Sequence, residues 1–261
     1  ATMSSTDSAS VFNLLRSQKM HLKENLRPML ELESGSNDPM AYMLTIVMIQ
    51  VINGGDSADI NVWNIILNFI IQFGFGLAFG YLLGKVCVWI INKINLQNKT
   101  LYPILMLGFI FFIFSITDAV NGNGYLAVYV AGIVMGNCKL VENKSISSFL
   151  DGIVWFVQIV MFLVLGMLVN PHDMFQIALP ALIVGLFVIF IGRPLSVWMC
   201  LLPFKGIKKR SKIFISWVGL RGAAPIIFAT YPVVEGVEGG EFIFNMVFFI
   251  TLTSLIIQGT T

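Results

Sequence analysis

A single aspartate stands near the head of an apolar segment, in the stretch SGSNDPMAYMLT at residues 34–45. Asp38 follows Asn37 and precedes Pro39, and the apolar run continues to about residue 52, a length that can cross a bilayer. A charge at the bilayer centre costs about 2.5–3.5 kcal/mol on insertion scales, so such residues are usually kept for a pathway or a pair. A carboxylate in this position can hold either a proton or a cation. The alternative is a structural ion pair inside a helix bundle.

Helical spacing places small and polar residues on the same face as this aspartate. Ser34, Asp38, Ala41 and Thr45 follow one another at i, i+4, i+7 and i+11. We expect Pro39, which lacks an N–H, and the Ser-Gly-Ser lead to open the backbone beside the carboxylate. Carboxylate, hydroxyl, amide and carbonyl oxygens are the ligands that suit a hard cation such as Na⁺ or K⁺.

Two further segments have the composition of interrupted membrane helices. SSTDSAS, at residues 4–10, is a run of hydroxyl and small residues around Thr6 and Asp7, and WVGLRGAAP, at residues 217–225, has glycines on both sides of Arg221. Interrupted backbone at membrane depth is tolerated only around a cavity, and paired interruptions point to an inverted-repeat transporter. Close packing of small residues is the alternative explanation for either segment alone. Arg193 also lies deep in an apolar segment.

Composition indicates an all-α polytopic membrane protein. Of 261 residues, 57% are hydrophobic and 11% are charged, whereas about a quarter of a soluble domain is charged. The three cysteines have neither disulfide nor metal spacing, and the net charge of +2 suggests no nucleic-acid partner. His21 and His172 belong to no nucleophile or metal constellation, so neither an enzyme activity nor a cofactor is expected.

The hydropathy pattern predicts nine helical segments with alternately charged loops. Basic and acidic loops alternate along the whole chain, which places thirteen of the sixteen Lys and Arg on one side together with the C-terminus. The positive-inside rule makes this the cytoplasmic side of the membrane. The segments are 1–15, 34–52, 60–92, 101–117, 124–138, 145–169, 172–202, 211–234 and 240–258.

Six ordered motifs give the chain a family resemblance that runs almost from end to end. They are SSTDSASVFNLLR, LESGSNDPMAYMLT, FLDGIVWFVQIVMFLVLGMLV, GRPLSVW, GLRGAAPIIFA and SLIIQGTT. With these motifs the chain resembles the monovalent cation:proton antiporters of the NhaP type, and within them the bacterial potassium/proton antiporters.

The resemblance implies a fold with broken, crossing helices in an inverted repeat, assembled as a homodimer. Members have thirteen transmembrane helices, of which this chain would be the fifth to the thirteenth, without the first four and without a cytoplasmic regulatory tail. Residues 1–52 would then end the first repeat, 60–92 would form a linker and dimerisation helix, and 101–261 would form the second repeat.

The resemblance also implies roles for particular residues of the site. Asp38 corresponds to the aspartate that binds the ion and carries the proton, and Asn37 to the asparagine of the electroneutral branch. Thr6, Asp7 and Ser34 correspond to residues that build the cation site.

Glu33 and Arg221 correspond to a buried acid–arginine pair, and Arg193 to a further core arginine. The implied activity is exchange of K⁺ or Na⁺ for H⁺ without a cofactor. A monovalent cation channel and a non-transporting membrane scaffold remain the alternatives.

Overall fold

The structure is a computed structural model, and it describes residues 1–7, 11–12, 26–53, 62–94, 96–204 and 206–260. Residues 8–10 and 13–15 of the predicted first helix lie outside these residues, as do the basic residues Arg16, Lys19 and Lys23 and the acidic loop with Asp56 and Asp59. The helices are α1 Leu26–Asn53, α2 Val62–Lys93, α3 Leu101–Ala119, α4 Gly124–Gly136, α5 Asn143–Leu168, α6 Pro171–Phe187, α7 Arg193–Cys200, α8 Lys209–Trp217, α9 Ala223–Val234 and α10 Gly240–Thr260.

The all-α membrane architecture predicted from the sequence is confirmed. The described residues contain no strand, and five helical stretches among them are long and apolar enough to cross a bilayer. α4 and α9 are apolar but have only 13 and 12 residues. The five stretches are Ile65–Lys93, Leu101–Ala119, Asn143–Leu168, Ile177–Cys200 and Gly240–Thr260.

α1 begins eight residues before its predicted start and runs without interruption through Pro39. Its first turns are rich in Leu, Met, Glu and Arg, which favour helix, and Arg27 and Glu31 form an i,i+4 ion pair of 2.9 Å. The expected opening of the backbone at Ser34–Ser36 is therefore wrong. Pro39 cannot donate to the carbonyl of Gly35, but it is buried, and packing around it keeps the helix continuous.

The predicted interruption around Arg221 is confirmed, and a second irregularity precedes Arg193. Residues 218–222 separate α8 from α9, and we call these residues, together with Trp217 at the end of α8, the α8–α9 break. Between α6 and α7 the backbone forms a π-helical turn, Val188–Gly192. Pro194 explains this wider turn, because it removes the amide that would bond to the carbonyl of residue 190.

The chain divides into two compact units, each with its own packing. One unit comprises Ser57–Met161, in which α2 packs closely against α4. A Cβ at Gly80 would lie 2.6 Å from the Ala127 carbonyl oxygen, so only glycine allows this approach of the two helices.

The other unit comprises Ala1–Asp56 and Phe162–Thr261, and it holds every predicted site residue. Thr2–Ser4 form a short 3₁₀ turn, after which Ser5 is extended at φ −68° and ψ 143°. Helices α1, α9 and α10 and this N-terminal segment pack together, as do α6 and α10.

Candidate cation site

The N-terminal segment Ser5–Asp7 lies along α1 and is held by two α1 side chains. Ser34 Oγ donates to the Thr6 carbonyl at 2.7 Å. Asn37 Nδ2 donates to Thr6 Oγ1 at 2.6 Å, and the Thr6 N–H donates to Asn37 Oδ1 at 3.3 Å. The Asn37 amide thus uses both its donor and its acceptor to fix the backbone and side chain of Thr6.

Asp38 is the carboxylate that this arrangement presents. Its Oδ1 accepts a hydrogen bond from Ser5 Oγ, and its side chain is half-buried. Ser34, Ala41 and Thr45 are all buried, so the small, polar face predicted from the spacing does turn inward. Asp38 therefore lies where α1 meets the hydroxyl groups of Ser5 and Thr6.

Asp7 connects the N-terminal segment to the α8–α9 break. Its N–H donates to the Leu220 carbonyl at 2.9 Å. Gly222, the N-cap residue of α9, lies directly against its side chain, because a Cβ there would stand 2.6 Å from Asp7 Cγ. The Asp7 carboxylate is thus close to a helix N-terminus, whose partial positive charge stabilises an anion.

Arg221 binds the same segment from the break. Its Nη1 donates to the Ser5 carbonyl at 2.6 Å, and the residue is buried. Arg221 therefore binds the carbonyl of Ser5, while the hydroxyl of Ser5 binds Asp38.

The ion pair of Glu33 is made with Arg193, whereas the family resemblance implied a pair with Arg221. Among the described residues of this unit, two arginines are buried, and the sequence alone does not determine which one reaches the acid. The π-helical turn places Arg193 beside α1, where its Nη1 binds Glu33 Oε1. The guanidinium of Arg221 goes to the Ser5 carbonyl instead.

Arg193 also holds α8. Its Nη2 donates to the Ile215 carbonyl at 3.4 Å, and a Cβ at Gly219 would stand 2.8 Å from its Cζ. Its Nε is buried without a hydrogen-bond partner in the described part of the chain. The side chain thereby links α7 to α1, through Glu33, and to the end of α8.

The sequence reasoning missed three residues that complete this arrangement. Ser5 binds Asp38, and Ser254 and Gln258 on α10 bind the α8–α9 break. Ser5 could have been found in the hydroxyl run around Asp7. Ser254 and Gln258 belong to the quoted motif SLIIQGTT, but nothing in that motif says what they face.

The assembled groups are the carboxylates of Asp38 and Asp7, hydroxyls, an amide and backbone carbonyls at the junction of three chain segments. Oxygen donors of these kinds suit a hard monovalent cation, and the carboxylate can alternatively take a proton. In the described residues, no group of three or more His, Cys, Asp and Glu is arranged to hold a metal ion.

Comparison with known families agrees with this geometry. The profile of the family "Sodium/hydrogen exchanger, transmembrane" matches residues 1–261. The chain belongs to this family. Among similar proteins, the K(+)/H(+) antiporter NhaP2 of Shewanella sp. (strain ANA-3) is 42% identical over 261 residues, which are the whole chain and 45% of that protein.

Two further relatives in the sodium/hydrogen exchanger family extend the comparison. The K(+)/H(+) antiporter NhaP of Alkalimonas amylolytica is 40% identical over 259 residues, 99% of this chain and 44% of its own length. The probable Na(+)/H(+) antiporter 2 of Methanocaldococcus jannaschii is 27% identical over 249 residues, 90% of this chain and 57% of its own. The chain thus spans less than half the length of the more similar relatives.

Proposed function

We propose that the protein containing this chain is a secondary active antiporter that exchanges a monovalent cation for H⁺, with K⁺ preferred to Na⁺. The observation that carries the proposal is the carboxylate of Asp38, which accepts a hydrogen bond from the Ser5 hydroxyl, while the adjacent Asn37 binds the hydroxyl of Thr6. The preference for K⁺ over Na⁺ is proposed from the sequence comparison, because relatives that are 40–42% identical to this chain are named K(+)/H(+) antiporters.

In the proposed cycle Asp38 alternates between a proton and a cation. Cation binding displaces the proton on one side of the membrane, and protonation releases the cation on the other. Asp7 lies beside the N-terminus of α9 and shapes the site instead of carrying the proton. The cation site is reached alternately from the two sides as helices of the core move against the dimerisation helices.

Asn37 supports an electroneutral exchange of one cation for one proton. The position next to Asp38 is an amide that cannot titrate, and this amide is engaged with Thr6. One carboxylate then exchanges one positive charge for another, so that a cycle moves no net charge.

The membrane setting follows from the charge pattern and the family. We propose a bacterial inner-membrane protein with its basic loops and C-terminus in the cytoplasm, assembled as a homodimer with 60–92 as linker and dimerisation helix. Residues 1–52 would belong to the first inverted repeat and 101–261 to the second. Transport changes no covalent bond, so the protein would not act as an enzyme.

Exchange in everted membrane vesicles from cells expressing the complete protein tests this function, with K⁺ and Na⁺ added separately. Asp38→Asn should abolish cation-driven proton movement while the protein still inserts, because the amide cannot be protonated and deprotonated. Asp151→Asn is a matched control, since Asp151 is an exposed carboxylate on α5.

The same assay separates the alternatives. Flux that does not saturate and does not move protons would favour a channel. No flux from the correctly inserted parent would favour a scaffold, and wild-type exchange by Asp38→Asn would refute the role given to this carboxylate.

A further inference from the structure

Two side chains of α10 hydrogen-bond to the backbone of the α8–α9 break. Ser254 Oγ accepts from the N–H of Arg221 at 3.2 Å, and Gln258 Nε2 donates to the carbonyl of Trp217 at 2.8 Å. The two side chains are also joined, because Ser254 Oγ donates to Gln258 Oε1 at 2.6 Å. Both residues are buried.

These bonds supply partners that the interrupted helix cannot supply itself. Trp217 is the last residue of α8, where carbonyls have no intrahelical donor, and Arg221 lies before the first turn of α9. An unsatisfied backbone group is costly where water is excluded, so interrupted helices need such partners. Ser254 and Gln258, four residues apart on α10, provide these hydrogen-bond partners on the two sides of the break.

The remaining hydroxyl residues of this stretch of α10 behave differently. Thr251 and Thr253 each donate to the carbonyl four residues earlier in their own helix, at 2.9 Å in both cases. Ser254 and Gln258 instead reach another segment: Ser254 Oγ accepts from the N–H of Arg221, and Gln258 Nε2 donates to the carbonyl of Trp217. This difference indicates a role beyond the stability of α10 itself.

The break that they hold is connected to the candidate cation site by direct contacts. The Leu220 carbonyl accepts from the N–H of Asp7, and the Arg221 guanidinium donates to the carbonyl of Ser5. Ser5 in turn donates to Asp38. A shift of the break would therefore displace the hydroxyl that faces the Asp38 carboxylate.

We propose that Ser254 and Gln258 are positioning residues, which set the affinity of the site for its cation by fixing the backbone of the α8–α9 break. The proposal rests on the function proposed above and adds a residue pair outside the site that controls it. α10 serves as the support to which the break is bound, and neither residue contacts the cation.

Hydrogen–deuterium exchange of the complete protein in detergent tests the hydrogen bonds directly. In the unsubstituted protein, the amide of Arg221 should be protected relative to an exposed amide. Ser254→Ala and Gln258→Met should each raise its exchange rate about tenfold, since each removes a bond that holds the break closed. Thr253→Ala, which removes only a hydroxyl bonded within α10, should leave that rate unchanged.

The affinity for the cation is measured on the same variants, from the KM of exchange in proteoliposomes and from cation-dependent thermal stabilisation. Gln258→Met should raise the KM about fivefold with little change in the maximal rate per folded protein. A purely structural role would lower the yield and the melting temperature but would leave the KM unchanged.

An unprotected Arg221 amide in the native protein, or unchanged cation affinity in a variant whose break exchanges faster, would overturn the proposal. The absence of transport by the parent would instead refute the proposed function. In that case cation-dependent stabilisation would still decide whether Ser254 and Gln258 control binding.

Discussion

Neutralising Glu33 should destabilise the protein more than removing its partner Arg193 does. The side chain of Arg193 is 9% exposed and that of Glu33 is 27% exposed. The charge that remains after one partner is removed is therefore less accessible to water when it is Arg193 than when it is Glu33. Glu33→Gln leaves a guanidinium that water can hardly reach, whereas Arg193→Met leaves a carboxylate that can partly rehydrate.

The magnitudes follow from this difference in exposure. Breaking a buried pair by removing one partner typically costs about 3–5 kcal/mol, and we expect Glu33→Gln to fall in that range. For Arg193→Met we expect a lower cost, about 2–3 kcal/mol, because the remaining charge keeps contact with water. The double variant should recover about 1–2 kcal/mol relative to the sum, since it leaves neither charge unpaired.

The free energy of unfolding of the complete protein in mixed micelles, titrated with denaturing detergent, measures these differences. A second cycle with Glu33→Gln and Arg221→Met serves as the comparison, because Glu33 makes its ion pair with Arg193 and the Arg221 guanidinium binds the Ser5 carbonyl. Additive losses for Glu33 and Arg193, or stronger coupling of Glu33 to Arg221, would refute the pairing seen in the structure.

Three further predictions concern the site. Gly222→Ala should abolish exchange in vesicles because its Cβ would collide with the Asp7 side chain, whereas Gly259→Ala, which faces open space, should exchange normally. Ser5→Ala removes a hydrogen bond to a carboxylate, typically worth about 1.5–3 kcal/mol, and should raise the KM for the cation about tenfold or more; an unchanged KM would exclude this contact from the working site. With Asn37 as the neighbour of the site carboxylate, transport on a solid-supported membrane should give no sustained current, and a current that grows with cation concentration would exclude electroneutral exchange.

The sequence predicted the membrane class and most of the helices because both depend on local hydropathy. It also predicted the interruption at Arg221, since two glycines flank a charge within an apolar run. The inward face of α1 followed from spacing alone, because residues three and four apart share a side of any helix. The family resemblance then identified Asp38, Asn37, Thr6, Asp7 and Ser34 as the residues to examine.

Tertiary structure decided which partners these residues have. Glu33 could have met either deep arginine, and only the π-helical turn before Arg193 and the contact of Arg221 with Ser5 distinguish the two. Pro39 looked locally like a point where α1 would open, yet packing keeps that helix intact. Ser254 and Gln258 gave no local signal, because a hydrogen bond to a backbone 33 or 41 residues away depends on how helices pack and not on the neighbours of a residue in the chain.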